Sequence, residues 1–396
     1  MTMKSFSLII RIGVFFLIAF SCSREEGLFQ SEKKLFEKML PGETGIDFSN
    51  RITVDPDFNV MNYEYIYNGG GAAVGDFNND GLQDLFFTGN MVNNAMYLNQ
   101  GDFRFRNITE LAGIQGADRW CTGSSVIDIN NDGWLDLYIC TSTYEPYERR
   151  TNLLFVNQGV NEDQIPLFEE MADAYGLADT THCTMAAFFD YDRDGDLDMF
   201  LAVNNIDPRI HPNAYKEKDD IQLTYNADRL YENNFDEHKG HPVFTDVSDA
   251  AGLITGGYAL GLNIVDINRD GWKDVYVSND YLAIDHLYIN NGDKTFTDRS
   301  SEYLKHTSMS AMGMDVADVN NDGLADIFVL DMLPEYNVRR KTMVKTNNYF
   351  SYIQNEKFDY PYQYVRNMLQ LNRGVRPDNG GLIFSEVGMF AGIHAT

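Results

Sequence analysis

The sequence is short of cationic charge, cysteine and long apolar runs, and each scarcity removes a class of protein. Lys and Arg total 31 against 59 Asp and Glu, a formal net charge of −28. Simple repulsion therefore disfavours a nucleic-acid partner. The four cysteines are Cys22, Cys121, Cys140 and Cys183. Beyond Cys22 their number is odd and their spacing fits no disulfide framework. Cys121 and Cys183 hold matching places in Trp120-Cys121-Thr122 and His182-Cys183-Thr184, as small buried residues would, although a disulfide stays open. After Cys22 no apolar run is long enough to span a membrane. The seven histidines (His182, His211, His238, His241, His286, His306 and His394) are scattered and form no His-x-x-x-His ligand pair. There is no Gly-x-Ser-x-Gly elbow and no Walker loop, so no catalytic constellation is recognised.

The one apolar run lies at the start. Lys4 and Arg11 precede Ile12 to Phe20, which exits through Ser21 to Cys22. A basic region, a short apolar core and a small-residue exit describe a secretory signal over residues 1–21. Ala19-Phe20-Ser21-Cys22 resembles a lipobox, whose Cys becomes the acylated N-terminus of a bacterial lipoprotein; cleavage without acylation is the alternative. Cys22-Ser23-Arg24-Glu25-Glu26 resembles the short acidic signal that sends some lipoproteins to the outer face of the outer membrane, with a solvated charge cluster as the plain alternative. Residues 22–41 read as a tether.

What the chain has in abundance is aspartate at a fixed spacing. Asp76-Phe77-Asn78-Asn79-Asp80-Gly81-Leu82-Gln83-Asp84 is the first of five loops of one design. Positions 1, 3, 5 and 9 carry Asp76, Asn78, Asp80 and Asp84; then Asp128, Asn130, Asp132 and Asp136; then Asp190, Asp192, Asp194 and Asp198. Loops four and five repeat the pattern as Asp266, Asn268, Asp270 and Asp274, and as Asp318, Asn320, Asp322 and Asp326. Loop three adds Asp196. A Gly stands at position 6 of each, where a left-handed backbone turns the loop. Oxygens at alternate positions of a tight loop suit a hard cation such as Ca²⁺, with the position-7 carbonyl as a further donor. Up to five Ca²⁺ are expected, and they would bring the net charge of −28 to about −18. An EF-hand would place its last carboxylate at position 12 and helices on either side. Here short apolar runs flank each loop, such as Gly70 to Gly75 before and Leu85-Phe86-Phe87 after loop one. Such runs are strands, so each loop joins two antiparallel strands.

The repeat continues past the loop. A third strand ends in Asn99, Asn157, Asn233, Asn290 and Asn372, and a fourth begins at Phe105, Phe168, Phe244, Phe296 and Phe384, usually closing in Ala-Gly. Four strands per unit, at spacings of 52, 62, 76 and 52 residues between first aspartates, predict an all-β protein built as a β-propeller over residues 42–396. Blades are expected at about 69–118, 119–179, 180–253, 254–304 and 305–393. His394 holds the register of Trp120 and His182, eight residues before a first Asp, so a sixth loop would open near position 402. The expectation is thus five blades of about seven, the rest truncated. The alternative is that residues 42–68 supply closing strands to a smaller ring.

These motifs resemble FG-GAP/VCBS repeats, the blades of the integrin α-chain propeller. Gly45-Ile46-Asp47-Phe48 and Tyr67-Asn68-Gly69-Gly70-Gly71 resemble secreted bacterial members that pair such repeats with an ASPIC/UnbV domain, of which no segment is present here. The resemblance implies a Ca²⁺-stabilised extracytoplasmic binding, adhesion or scaffold module for a glycan or protein ligand. A polysaccharide-degrading propeller is the alternative, although the paired carboxylates already belong to the loops. Insertions at Ile206 to Asp228 and Asp331 to Asn367 interrupt blades three and five. The second is rich in Tyr, Phe, Arg and Lys, and either binds ligand or packs as a mini-core.

Overall fold

The computed structural model describes residues 35–116, 118–143, 147–204, 212–213, 215, 227–342, 349–377 and 380–395. The signal segment, Cys22, most of the tether, and Lys216 to Asp220 and Lys345 of the insertions lie outside the described residues. The chain divides into units Met1–Thr44 and Gly45–Thr396. In the first, one helical turn spans Pro41–Thr44.

The second unit holds five four-stranded antiparallel sheets, each in strand order 1-2-3-4. Blade one is β1 (Ala72–Gly75), β2 (Asp84–Phe87), β3 (Ala95–Asn99) and β4 (Phe105–Asn107). Blade two is β5 (Trp120–Ile127), β6 (Asp136–Ser142), β7 (Leu153–Val160) and β8 (Pro166–Glu170). Blade three is β9 (Cys183–Phe189), β10 (Asp198–Val203), β11 (Arg229–Asp236) and β12 (His241–Asp246). Blade four is β13 (Ala259–Val265), β14 (Asp274–Asn279), β15 (His286–Asn290) and β16 (Phe296–Asp298). After β17 (Thr307–Ser308), blade five is β18 (Gly313–Ala317) and β19 (Asp326–Leu330), then, beyond β20 (Gln363–Tyr364), β21 (Met368–Val375) and β22 (Leu382–Glu386). These are the blades of a β-propeller, as the sequence predicts.

The fourth strands are shorter than expected. Their Ala-Gly endings belong to helical turns, Thr109–Ala112, Ala172–Tyr175 and Ser248–Ala251, closed by Gly113, Gly176 and Gly252 in left-handed conformation. The last strand residue captures the turn's first N–H: Asn107 Oδ1 accepts from Thr109 N at 3.0 Å and Asp246 Oδ1 from Ser248 N at 3.0 Å. That side-chain bond gives the backbone a turn to follow instead of the ladder. Residues 45–68 contain turns and no strand, so they do not close the ring with strands.

Alternation along a strand is what glues blades together, because successive side chains face opposite neighbours. Leu137 and Ile139 of β6 pack toward blade one, with Phe86, Met96 and Ile114. Tyr138 and Cys140 of the same strand pack toward blade three, with Met199, Leu201 and Tyr231. Equivalent apolar layers join blade three to four and four to five. Among the described residues none joins blade five to blade one, where Phe48 instead stacks on Phe87 at 5.3 Å. Cys121, Cys140 and Cys183 are free thiols in these layers. Burial pushes Cys121 up to about 12 and the other two well above the ordinary thiol range, so none is a nucleophile.

Hydrogen bonds cross between neighbouring blades as well. Thr88 Oγ1 donates to Thr122 O at 2.6 Å, Thr122 Oγ1 to Cys183 O at 2.8 Å and Thr184 Oγ1 to Ala259 O at 3.0 Å, each crossing to the next blade. Gly123 is required here, since a Cβ would meet Thr184 O at 2.4 Å. The two insertions meet each other: Tyr215 stacks on Phe358 at 5.5 Å and donates to Asn355 Oδ1 at 2.7 Å. The mini-core reading therefore holds for those residues, while Tyr336, Tyr349 and Phe350 stay exposed.

The third-strand Asn is a second stitch. Asn157 Nδ2 donates to Phe77 O of the previous blade at 2.9 Å and to Leu135 O at 3.2 Å, fully buried. Asn157→Ala leaves both carbonyls unpaired and is expected to cost about 2–3 kcal/mol by urea denaturation. The exposed Asn291→Ala should cost under about 0.5 kcal/mol. Equal costs for the two variants would show that Asn157 does not join the blades.

Candidate metal centres and the axial cavity

Each acidic loop is a tight turn between strands one and two, and its conformation is the same five times. Gly81, Gly133, Gly195, Gly271 and Gly323 at position 6 have φ between 83° and 99°, as expected. Position 4 is left-handed too, at Asn79, Asn131, Arg193, Arg269 and Asn321. That second kink was not read from the sequence, because Arg is no marker for it; only the three Asn hint at it.

The two kinks turn positions 1, 3 and 5 inward. Asp76 Oδ2 accepts from Gly81 N at 2.8 Å, and the same bond forms in loops two, four and five at 2.8–2.9 Å and in loop three at 3.2 Å. Asp80 Oδ1 accepts from Leu82 N at 2.8 Å, with counterparts at Asp132, Asp194, Asp270 and Asp322. Asn78 Oδ1 accepts from Asp80 N at 3.3 Å, and Asn130, Asn268 and Asn320 do likewise. In loop three Asp190, Asp192 and Asp194 each bring one oxygen within 4.8 Å of the others. Asp190 Oδ1 and Asp266 Oδ1 are buried without a hydrogen-bond partner among the described residues. A buried carboxylate oxygen left unpaired is costly. A hard dication held by positions 1, 3 and 5 would satisfy it, so the residues fit Ca²⁺.

The position-9 aspartates do a different job. Asp84, Asp136, Asp198, Asp274 and Asp326 are all buried, at the start of strand two. One oxygen accepts from the position-2 N–H (Asp136 Oδ2 from Ile129 N, 2.9 Å) and the other from the third-strand Asn (Asp136 Oδ1 from Asn157 N, 2.7 Å). The same pair recurs at Asp84, Asp198, Asp274 and Asp326. Each thus ties its loop to the sheet, with lone pairs still available to a cation. Burial, helped by the other loop carboxylates, pushes Asp84 up to about 6 and Asp136, Asp198 and Asp274 to about 7, against the pull of those N–H groups.

Neighbouring loops also touch. Arg193 donates to Gly271 O and lies 4.2 Å over the Trp272 ring. Lys294 Nζ sits 2.6 Å from Asp192 Oδ2 and 3.1 Å from Glu232 Oε1. Neither contact was foreseen. The signal for Lys294 was present, however, in Asp192, a carboxylate where the other loops have Asn and hence one more charge to balance.

At the opposite end of the sheets lies a cavity of about 340 Å³, lined by residues in or just before the first strands of all five blades, by Ser142 and Asn204 at the ends of second strands, and by Tyr63 and Tyr65. Those two belong to a strap anchored on both sides. Tyr63 packs edge-on to Trp120 of blade two at 5.7 Å, and Tyr65 Oη donates to Asp280 of blade four at 3.1 Å.

Comparison with known proteins agrees with this geometry. The FG-GAP-like repeat family matches residues 76–139 and 266–329, which run from the acidic loops of blades one and four into the second strands of blades two and five. The chain therefore carries FG-GAP-like repeats at those residues. It is 22% identical to cartilage acidic protein 1 of Homo sapiens over 246 residues, 62% of this chain and 33% of that one. It is 24% identical to a T-cell immunomodulatory protein homolog of Plasmodium falciparum over 312 residues, 65% of this chain and 41% of that one. The chain spans about a third of the length of the cartilage acidic proteins it matches. A crystal structure of the V. cholerae biofilm matrix protein Bap1 aligns at 11% identity with a TM-score of 0.31, over 65% of this chain and 59% of that one, an overlap that carries no argument.

The raised carboxylates set a pH dependence for the chelated protein. Unfolded aspartates titrate near pH ~3.9. Between there and about pH 7 the folded state keeps protons the unfolded state has released, so stability falls as pH rises through that window. Urea midpoints in chelator should be lower at pH 7.5 than at pH 5, and a rise instead would contradict the burial argument.

Proposed function

We propose that this chain is a calcium-stabilised, extracytoplasmic module that binds or scaffolds a glycan or protein ligand, held to a membrane through acylated Cys22. The observation that carries the reading is the five-fold acidic loop, with orphaned carboxylate oxygens at Asp190 and Asp266. Such loops need free Ca²⁺ at the level found outside the cytoplasm, and they stiffen a scaffold without entering a reaction. The match to FG-GAP-like repeats supports a binding or scaffold role in preference to polysaccharide degradation. Among the described residues no helix is long and apolar enough to cross a membrane.

At an external Ca²⁺ ten times Kd, each site adds roughly 1.4 kcal/mol, or about 7 for five independent sites. Chelation should lower Tm by on the order of 10 °C; Ca²⁺ should restore it and Mg²⁺ do so poorly. Asp80→Ala should remove about one fifth of that gain. A melting curve unchanged by chelator would refute the calcium claim. For the anchor, wild-type protein should partition into detergent and take up a palmitate analogue, and Cys22→Ser should abolish both. A soluble, unlabelled wild type would refute acylation.

A further inference from the structure

The cavity on the propeller axis has a composition unlike the rest of the molecule. The chain carries a net charge of −28, yet no residue lining this space is charged. Its wall carries the aromatic rings of Tyr63, Tyr65 and Trp120 and the apolar side chains of Met185, Leu260 and Met312. Met185 stands at the rim, 41% exposed. The threonine hydroxyls here have already spent their protons: Thr122 and Thr184 both donate to carbonyls of the next blade. What they still offer is acceptor oxygen. Asn204, fully buried at the end of β10, donates to Ala259 O at 3.5 Å and leaves Oδ1 without a partner among the described residues.

These features constrain the chemistry of an occupant. A carboxylate or sulfate would lose its hydration and meet no cation, which rules out an acidic group. A purely apolar group would leave the Asn204 oxygen unpaired. A neutral ring with hydroxyl donors on its edge and C–H groups on its face meets both demands, stacking on the aromatic wall while donating to Asn204 and the threonine oxygens. A volume of about 340 Å³ has room for one such ring together with bridging water. We infer that the axial cavity is a binding site for a single neutral sugar residue at the end of a glycan. The inference rests on the binding reading above and names its ligand class and place.

The test uses the calcium-loaded full chain, with Trp fluorescence and calorimetry. Titrants are glucose, galactose, mannose and N-acetylglucosamine, with glucuronate as the acidic counterpart. At least one neutral sugar should give saturable one-to-one binding that alters Trp fluorescence, and glucuronate should bind about tenfold more weakly or not at all. Met185→Trp, a rim substitution that fills the mouth, should weaken that binding at least about tenfold at unchanged Tm. Wild-type titrations alone decide the outcome if that variant fails to fold. Equal binding of glucuronate, unaltered binding by Met185→Trp, or no response to any of the four neutral sugars would overturn the inference. The calcium-dependent Tm of the same sample judges the preceding reading separately.

Discussion

The fold depends on a buried carboxylate that bridges two stretches of backbone. In each blade the last aspartate of the acidic loop accepts one N–H from its own loop and one from the third strand. A tight loop with left-handed kinks at positions 4 and 6 would otherwise be a weak joint between strands. Fixing it to the sheet makes the loop part of the rigid scaffold, which is what a preformed cation site requires. The cost is a desolvated negative charge in every blade, visible in the raised protonation range of Asp84, Asp136, Asp198 and Asp274. A dication held by positions 1, 3 and 5 would offset it.

From that joint the order spreads around the array. The third-strand Asn held by the carboxylate spends its own amide on the preceding loop, at Phe77, Tyr191 and Ile267. Arg193 and Lys294 cross between loops three and four by charge and by stacking. Each loop's geometry is therefore partly set by the next blade, as expected where repeats bury their faces only against neighbours.

Antiparallel topology then segregates chemistry. Strand-one-to-two turns lie at one end of each sheet and strand-two-to-three connections at the other. The aspartates occupy the first end. The strap, the described residues of the two insertions and the uncharged axial cavity occupy the second, where Tyr65 and Tyr281 are held by Asp280 and Glu64. The acidic loops thus stand at the end of the sheets away from the cavity.

The blades, their order and the cation loops were legible in the linear sequence because their determinants are local. Period-two apolar runs specify strands, and a nine-residue spacing specifies the loop wherever it occurs. The third strands were placed from short, mostly apolar runs that end in Asn99, Asn157 and their counterparts. The fourth strands were overestimated, because Asn107 and Asp246 divert the backbone into a turn by a side-chain bond that pattern does not register. The packing of Tyr215 on Phe358, the reach of Lys294 to Asp192 and the gathering of Trp120, Met185 and Asn204 around one cavity were decided only in three dimensions. Most of those residues come from different blades, and their proximity comes from stacking five sheets around an axis, a distance relation that no local pattern contains.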